Sequence, residues 1–429
     1  MLATILAVAL IHDITNATDP KLLVRQLGST RYASRIEAEG ELIRLGQFAL
    51  PALRAAKDFK DAEIRTRSLA LVSQIEKSLI LQATDIVLNI GDLTVPDAVG
   101  LLGGQIGQSI VILPEDRPNL DRRRFTLKTD QPLPFWKAID SICLAARLHP
   151  VVLNRLTPGD PGGTLVLHDG RFTGTNLVSD EGPFRVQLLS VHQQSEIQLT
   201  EGQSHRSFFL QMELVAEPRL SVTRGGAVQV TSAIDEQGRS VINPGIFQQE
   251  AGYYGISPSP VLRFRVDLDE PSSRSQRLKT LQGKLPVIVA TRKLDPLEVT
   301  LTESMGKIYT TEDTVLTVVD YHQGTRQDPS TIQLITRPVQ REGELPASKP
   351  GEPLGYRPDP IDQQIELLDA QGQTMEWFPS SQIFDGEETR LTLTISRQSM
   401  ATNPVKLRFH SLLRSKTDVS FQFNDIPIP

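Results

Sequence analysis

The chain has 429 residues, of which 39% are hydrophobic and 22% are charged, and these are ordinary values for a globular protein. At about 100–200 residues per domain, this length predicts two to four domains. The net charge of −6 argues against nucleic-acid binding, because displacing counterions from phosphate requires a basic surface. The one cysteine, Cys143, excludes an intrachain disulfide and a multi-cysteine zinc site. Its apolar neighbours predict that it is a small buried side chain.

Residues 1–11 form an unbroken apolar run, MLATILAVALI. The run is shorter than the roughly 20 residues that a membrane-spanning helix needs. It resembles the apolar region of a secretory signal, and Thr15-Asn16-Ala17 provides a cleavage site. We therefore predict a signal peptide over residues 1–18, a periplasmic or secreted protein, and no transmembrane span in the mature chain. The alternative is that the run forms the first turns of a core helix, since no basic residues precede it.

Residues 19–82 carry apolar side chains near the helical period of 3.6 residues. Pro51 is tolerated only in the first turn of a helix, so a new helix should begin near Phe48. Asp58 to Asp61 marks the next break, and a further apolar stripe follows it. The segment LIRLGQFALPALRAAKDFKDAEIRTRSLALVSQIE resembles a HEAT-like helical repeat of about one and a half units. The resemblance implies that the segment packs on a neighbouring domain, because such a unit cannot bury its apolar face alone.

Residues 83–170 contain a shifted copy of themselves at an offset of 40 residues. Each copy has the pattern of a strand, a Pro-containing turn, a helix and a strand, with Pro96 and Pro134 at or just before the helix starts. The aligned apolar positions include Ala98 with Ala138, Val99 with Ile139, and Leu102 with Ile142. We therefore predict a duplicated βαβ unit. The pattern resembles the short N-terminal domain of secretins and TonB-dependent receptors, and in that family the module mediates protein contacts in the cell envelope.

From about residue 171 the apolar period changes to two. The clearest alternating runs are Leu262 to Leu268, Leu391 to Ile395, and Val405 to Phe409. Short alternating runs separated by Gly, Pro and Asp turns are typical of antiparallel β-sandwiches. We predict one sandwich over 171–272 and a second over 273–429, divided at the polar stretch DEPSSRS. The Pro-, Gly- and Glu-rich residues 337–360 predict a long loop inside the second sandwich, or a linker.

The sequence motifs of common enzymes are incomplete in this chain. The glycines at 100–107 lie in the second half of a predicted helix, whereas a phosphate site needs the N–H groups of a helix N-terminus. Ser304-Met305-Gly306-Lys307 matches S-x-x-K, but the companion S-D-N and K-T-G motifs are missing. The seven histidines are scattered singly, without H-E-x-x-H. We predict no catalytic residue, no cofactor and no metal centre.

Two candidates for ligand binding remain. Asp267 and Asp269, with Glu270 beside them, have the clustered carboxylates that calcium prefers, and a solvated turn is the alternative interpretation. Trp377, in MEWFPSS before a predicted turn, is expected to be exposed and to contact a ligand.

These patterns together predict an α+β multi-domain protein, with an N-terminal helical segment, duplicated βαβ units and then antiparallel β-sandwich domains. This order resembles a group of uncharacterised bacterial envelope proteins. The function that we expect is a non-enzymatic interaction or scaffold protein outside the cytoplasm, whose partners are other envelope proteins. The alternatives are a carbohydrate- or calcium-binding sandwich and, with less support, a novel hydrolase. The sequence leaves the oligomeric state open.

Overall fold

The computed structural model describes residues 19–106, 110–154, 163–170, 177–198, 203–243, 259–293, 295–311, 313–325, 328–339, 364–385, 388–395 and 402–429. The predicted signal peptide, residues 1–18, lies outside these ranges, as do residues 340–360 of the predicted loop. The fold is mixed α+β with more strand than helix. The chain divides into two compact units, residues 1–82 and 83–429. None of the helices in the described ranges combines the length and apolar character that crossing a membrane requires.

The first unit is helical. Its helices are α1 Pro20–Gln26, α2 Tyr32–Leu45, α3 Leu50–Ala55 and α4 Ala62–Leu81. The side chain of Asp61 caps α4 by accepting the N–H groups of Glu63 and Ile64. Pro51 lies in the first turn of α3, which follows a 3₁₀ turn at Gly46–Ala49, close to the predicted helix start. The HEAT-like character of these helices stays a prediction.

The second unit begins with a small α/β module. Its elements are β1 Asp85–Ile86, β2 Asn89–Thr94, α5 Val95–Ile106, β3 Ile110–Val111, α6 Arg117–Leu120, β4 Arg124–Lys128, β5 Leu133–Pro134, α7 Phe135–Ala146, β6 Leu148–Asn154 and β7 Gly163–Asp169. The helices α5 and α7 start 40 residues apart and have the same length. Both bury the aligned positions, since Ala98, Ala138, Val99 and Ile139 all belong to one core cluster.

The strands of this module do not form two separate βαβ units, so that prediction is not confirmed. β2 pairs with β4 and β1 with β5, both antiparallel, while β3 lies parallel to β7. The strand before α5 and the strand after it are therefore in different sheets. The strands of one copy pair with those of the other copy, and this allows the two helices to share a single core.

The remaining strands run from residue 178 to residue 427. They are β8 Val178–Glu181, β9 Phe184–Gln198, β10 Gln203–Ala216, β11 Ser221–Arg224, β12 Gln229–Asp235, β13 Val261–Leu268, β14 Arg277–Arg292, β15 Leu297–Thr300, β16 Ile308–Thr310, β17 Thr314–His322, β18 Thr331–Pro338, β19 Ile365–Leu368, β20 Thr374–Met375, β21 Trp377–Phe384, β22 Thr389–Ile395, β23 Lys406–Phe409 and β24 Leu412–Pro427.

These strands build two sandwiches, here named A and B. In sandwich A, one sheet has the order β13-β10-β9-β8, and in the other β14 pairs with β11 and β12 on one side and with β24 on the other. Phe264 of the first sheet contacts Phe421 of the second, with ring centroids 6.1 Å apart. In sandwich B, the sheets have the orders β15-β23-β19-β20 and β16-β17-β18-β22-β21, around an apolar core that includes Trp377.

The predicted boundary at residues 272 and 273 does not separate the two sandwiches. β14 and β24 both follow that boundary, yet they complete sandwich A together with β11 and β12. Sandwich B, residues 297–409, is inserted between β14 and β24. The alternation of apolar residues shows which face of a strand is buried, and it does not show which strand lies beside it.

Candidate functional site

The strand β21 lies at the edge of the five-stranded sheet of sandwich B, and in the described residues it pairs through β22 on one side. Its sequence, WFPSSQIF, contains no charged residue. Trp377 at its start is buried, and the seven residues that follow are exposed. Natural edge strands usually carry charged side chains, which keep other strands from pairing with them. This strand has no such charge, and the two other protective features of edge strands, a proline and a bulge, occur only in its first half.

Three large apolar side chains on β21 are exposed to solvent. The exposed fraction is 47% for Phe378, 59% for Ile383 and 49% for Phe384. In the strand register, Ile383 lies opposite Arg390 and Phe384 lies opposite Thr389. Since successive residues of a strand point to opposite faces, this edge has apolar side chains on both faces of the sheet.

A β-bulge divides β21 into two parts. The register shifts between Pro379 and Ser381, and the hydroxyl of Ser380 donates to the carbonyl oxygen of Thr392 at 3.2 Å. Proline has no N–H, so Pro379 has nothing to donate to an added strand. The stretch Ser381–Phe384 contains no proline, so the N–H and C=O groups of its alternate residues, which point away from β22, can pair with an added strand, and we take this stretch as the candidate interaction edge.

The edge strand of sandwich A, β24, has different surroundings. The N–H of Gln422 donates to the hydroxyl of Ser179 at 3.1 Å, and the N–H of Ser420 donates to the carboxylate of Glu181. Both acceptors belong to the short strand β8. An open groove of about 370 Å³ lies at this junction, and its lining of hydroxyl, amide and charged side chains also includes Lys284. Side chains from β8 thus occupy donors that an added strand would need.

The prediction that Trp377 is exposed is wrong. The side chain is fully buried in the core of sandwich B, and its indole N–H has no hydrogen-bond partner among the described residues. In a strand, one of two neighbouring aromatic residues points inward and the other points outward. The aromatic side chain that reaches solvent is Phe378, the next residue in the chain.

The carboxylates proposed for calcium have partners in the structure. Asp267 lies in β13 and accepts hydrogen bonds from the guanidinium of Arg265, with Nε at 2.8 Å. Asp269 follows the strand and accepts from the amide of Asn243 at 2.7 Å. Across the described ranges, no three His, Cys, Asp or Glu side chains converge as a metal site. Calcium binding at Asp267 and Asp269 stays a prediction without a converging set of ligands.

A buried ionic cluster surrounds Arg185, and no local sequence pattern marks it. This side chain of β9 is 3% exposed and makes two hydrogen bonds of 2.7 Å to Asp140 on α7, together with bonds of 2.7 and 3.0 Å to Asp180. Its guanidinium carbon lies 5.0 Å from the ring centroid of Trp136. Burial opposes the charge, but the hydrogen bonds that Arg185 donates to both carboxylates raise its pKa above the ordinary value. The cluster joins the α/β module to sandwich A.

Two residues that resembled nucleophiles are buried. Cys143 is inaccessible, as predicted, and burial raises the pKa of its thiol to about 12, so the reactive thiolate does not form at neutral pH. The hydroxyl of Ser304 donates to the carbonyl oxygen of Leu301 at 2.9 Å within a 3₁₀ turn. The S-x-x-K match therefore lies in a turn between strands rather than at the start of a helix.

No family model and no curated protein matches this chain. A solved structure described as the conserved domain protein from Bacillus anthracis is similar over 59% of this chain and 90% of that one, with 7% sequence identity and a TM-score of 0.13. A TM-score this low carries no argument about fold or function.

Proposed function

We propose that the protein is a non-enzymatic interaction protein outside the cytoplasm, and that its partner adds an extended segment to β21. The observation that carries the proposal is the exposed, uncharged edge Ser381–Phe384, with Ile383 and Phe384 on opposite faces. An added strand gains affinity from backbone hydrogen bonds and specificity from its alternate side chains. The edge therefore fits a protein segment with apolar residues on both of its faces.

Buried polar contacts support the role of a scaffold, because they hold the α/β module rigidly on sandwich A. The Arg185 cluster is one of these contacts. In the other, the buried carboxylate of Glu217 accepts from the N–H of Thr84 at 2.8 Å, from its hydroxyl at 2.6 Å, and from Arg219 at 2.8 Å. In both contacts the buried charged groups are satisfied by partners within the protein, as in a structural polar network.

The α/β module supports the same proposal. We infer that residues 83–170 are a relative of the short N-terminal domain of secretins and TonB-dependent receptors. Support comes from the 40-residue spacing of α5 and α7 and from the burial of the aligned positions on both helices. In that family the module mediates protein contacts in the envelope. Together with the apolar run at residues 1–11, this inference favours other envelope proteins as the partners.

A pull-down from the cell envelope of the source organism, with the full chain as bait, tests the proposal. The substitution Ile383→Lys places a charge on the candidate interaction edge, as many natural edge strands do. Ile308→Lys is the matched control, because Ile308 is 69% exposed on β16, the opposite edge of the same sheet. The wild type and Ile308→Lys should capture the same partner. Ile383→Lys should capture at least about ten-fold less, which corresponds to about 1.4 kcal/mol.

Two results would contradict the proposal. Equal capture by all three baits would show that the partner does not use β21. A wild-type bait that recovers no protein above background would count against an interaction function in the envelope. Quantitative mass spectrometry of the captured proteins distinguishes these results, because it gives the amount of each protein on each bait.

A further inference from the structure

We infer that His149 and His168, on the surface of the α/β module, bind a divalent transition-metal ion. The two residues lie directly opposite each other in the antiparallel strands β6 and β7. Directly opposite residues point to the same face, with Cβ atoms about 4.5–5.5 Å apart. Two nitrogens that bind one ion at about 2.0–2.1 Å lie about 3–4 Å from each other. Two imidazoles on such a pair of positions reach this separation by side-chain rotation.

His168 already has the environment of a metal ligand. Its Nδ1 lies 2.9 Å from the carboxylate of Asp116, which precedes α6. A carboxylate at this position favours the tautomer with the proton on Nδ1 and leaves the lone pair of Nε2 for an ion. The same contact holds the ring in place, so less rotational freedom is lost when the ion binds. Because the side chain is partly exposed, an ion from solvent has access to it.

The surroundings of His149 allow the movement that binding requires. The side chain is exposed, and it makes no hydrogen bond or ion pair to another described residue, so its rotation breaks no polar contact. The neighbouring residue Gly170 has no side chain to crowd the ring; a Cβ there would lie 3.8 Å from the Cβ of His149. The carboxylate of Asp169 is held by Arg123 at 2.8 Å and by Asn119 at 2.9 Å, so it does not compete for the ion.

The ligand chemistry determines the class of ion. Imidazole nitrogens suit copper, nickel and zinc, whereas calcium and magnesium prefer oxygen ligands. No third His, Cys, Asp or Glu in the described residues converges on the pair, so water completes the coordination. For a given site of this kind, affinity rises from Ni²⁺ to Cu²⁺ and falls again at Zn²⁺. We therefore expect Cu²⁺ to bind most tightly.

Calorimetric titration of the full chain with Cu²⁺ tests the inference. His149→Gln and His168→Gln each remove one ligand and should weaken binding at least ten-fold. Asp116→Asn keeps both ligands but weakens the orientation of His168, and a change of this kind typically lowers metal affinity about 10–100-fold. His322→Gln is the matched control, because His322 is also an exposed strand histidine but lies opposite Thr331. It should leave the affinity unchanged.

The outcomes separate a built site from scattered surface binding. Electron paramagnetic resonance of the Cu²⁺ complex should show coupling to two imidazole nitrogens in the wild type and to one in either single-ligand variant. An unchanged affinity in His149→Gln would overturn the inference, and so would an equal loss in His322→Gln. Circular dichroism of each variant shows whether a loss of binding comes from the removed ligand or from unfolding.

Discussion

Sandwiches A and B differ in whether other residues cover the edge strands β24 and β21. In A, the side chains of Ser179 and Glu181 occupy backbone N–H groups of β24. In B, β21 has exposed Ile383 and Phe384, and no described residue covers its outer edge. Strand length does not explain the difference, because the covered strand has 16 residues and the uncovered one has 8. Exposed apolar strand edges can pair with another chain, and the proposal assigns this edge to a partner segment.

The two sandwiches also differ in their attachment to the rest of the second unit. Sandwich A is tied to the α/β module by the Arg185 cluster and by Glu217, both buried. Sandwich B is an insertion between β14 and β24, two long strands of A that pair along their whole length. Under the proposed function, A forms the frame and B presents the edge to a partner. Breaking contacts in A should therefore destabilise the fold, whereas changes at the exposed residues of β21 should affect binding alone.

The largest expected effect comes from Arg185→Ala. The substitution leaves the carboxylates of Asp140 and Asp180 without their shared cation in a mostly buried position. Removing one partner of a buried ion pair lowers the free energy of unfolding by about 3–5 kcal/mol. Urea denaturation followed by circular dichroism measures the change.

The control for this substitution is Arg263→Ala on the same sheet. The Arg263 side chain is 63% exposed and pairs with Glu213 at 2.8 Å, so solvent screens the interaction. A loss of less than about 1 kcal/mol is expected. If the two variants lost equal stability, the cluster at Arg185 would not be what anchors the module to sandwich A.

The sequence predicts local structure in this molecule better than it predicts pairing. The helical start near Phe48, the buried Cys143 and the alternation in β13 all follow from short-range patterns that the structure contains. The pairing of β14 with β24 joins residues more than 100 positions apart, and nothing local marks it. The same limit applies to Arg185 and Asp140, which lie 45 residues apart.

At the candidate interaction edge, an error of one residue was enough to exchange the exposed and the buried aromatic side chain. The sequence predicts Trp377 to be the exposed aromatic residue, whereas the structure buries Trp377 and exposes Phe378. A shift of one residue exchanges the two faces of a strand. The bulge at Ser380 changes the face again, so the outward positions after it cannot be counted from Trp377.

A second, smaller effect is expected for Gly283→Ala in β14. A Cβ at this position would lie 2.5 Å from Cζ of Phe421 and 2.8 Å from the carbonyl oxygen of Gln229, and Phe421 is buried. Overpacking of this kind lowers the free energy of unfolding by about 1–3 kcal/mol. Gly104→Ala in α5 is the control, since a Cβ there meets nothing within 4 Å. It should stabilise the protein by about 0.4–1 kcal/mol. The opposite ranking in urea denaturation would mean that the Phe421 ring and the Gln229 carbonyl both move aside at little cost.

The smallest expected effect lies in sandwich B and depends on pH. A hydrogen bond from His410, with help from Thr374 and Arg408, lowers the pKa of Glu366 to about 2. Because the pKa is lower in the folded than in the unfolded state, the carboxylate stabilises the fold above about pH 4.3, and this stability is lost as the pH falls toward 2. Partial exposure limits the contribution to about 1 kcal/mol. Glu366→Gln should therefore lower the melting temperature at pH 6 and have a much smaller effect near pH 2. A melting-temperature difference that stays constant over this range would show that the carboxylate charge is not what stabilises sandwich B at this position.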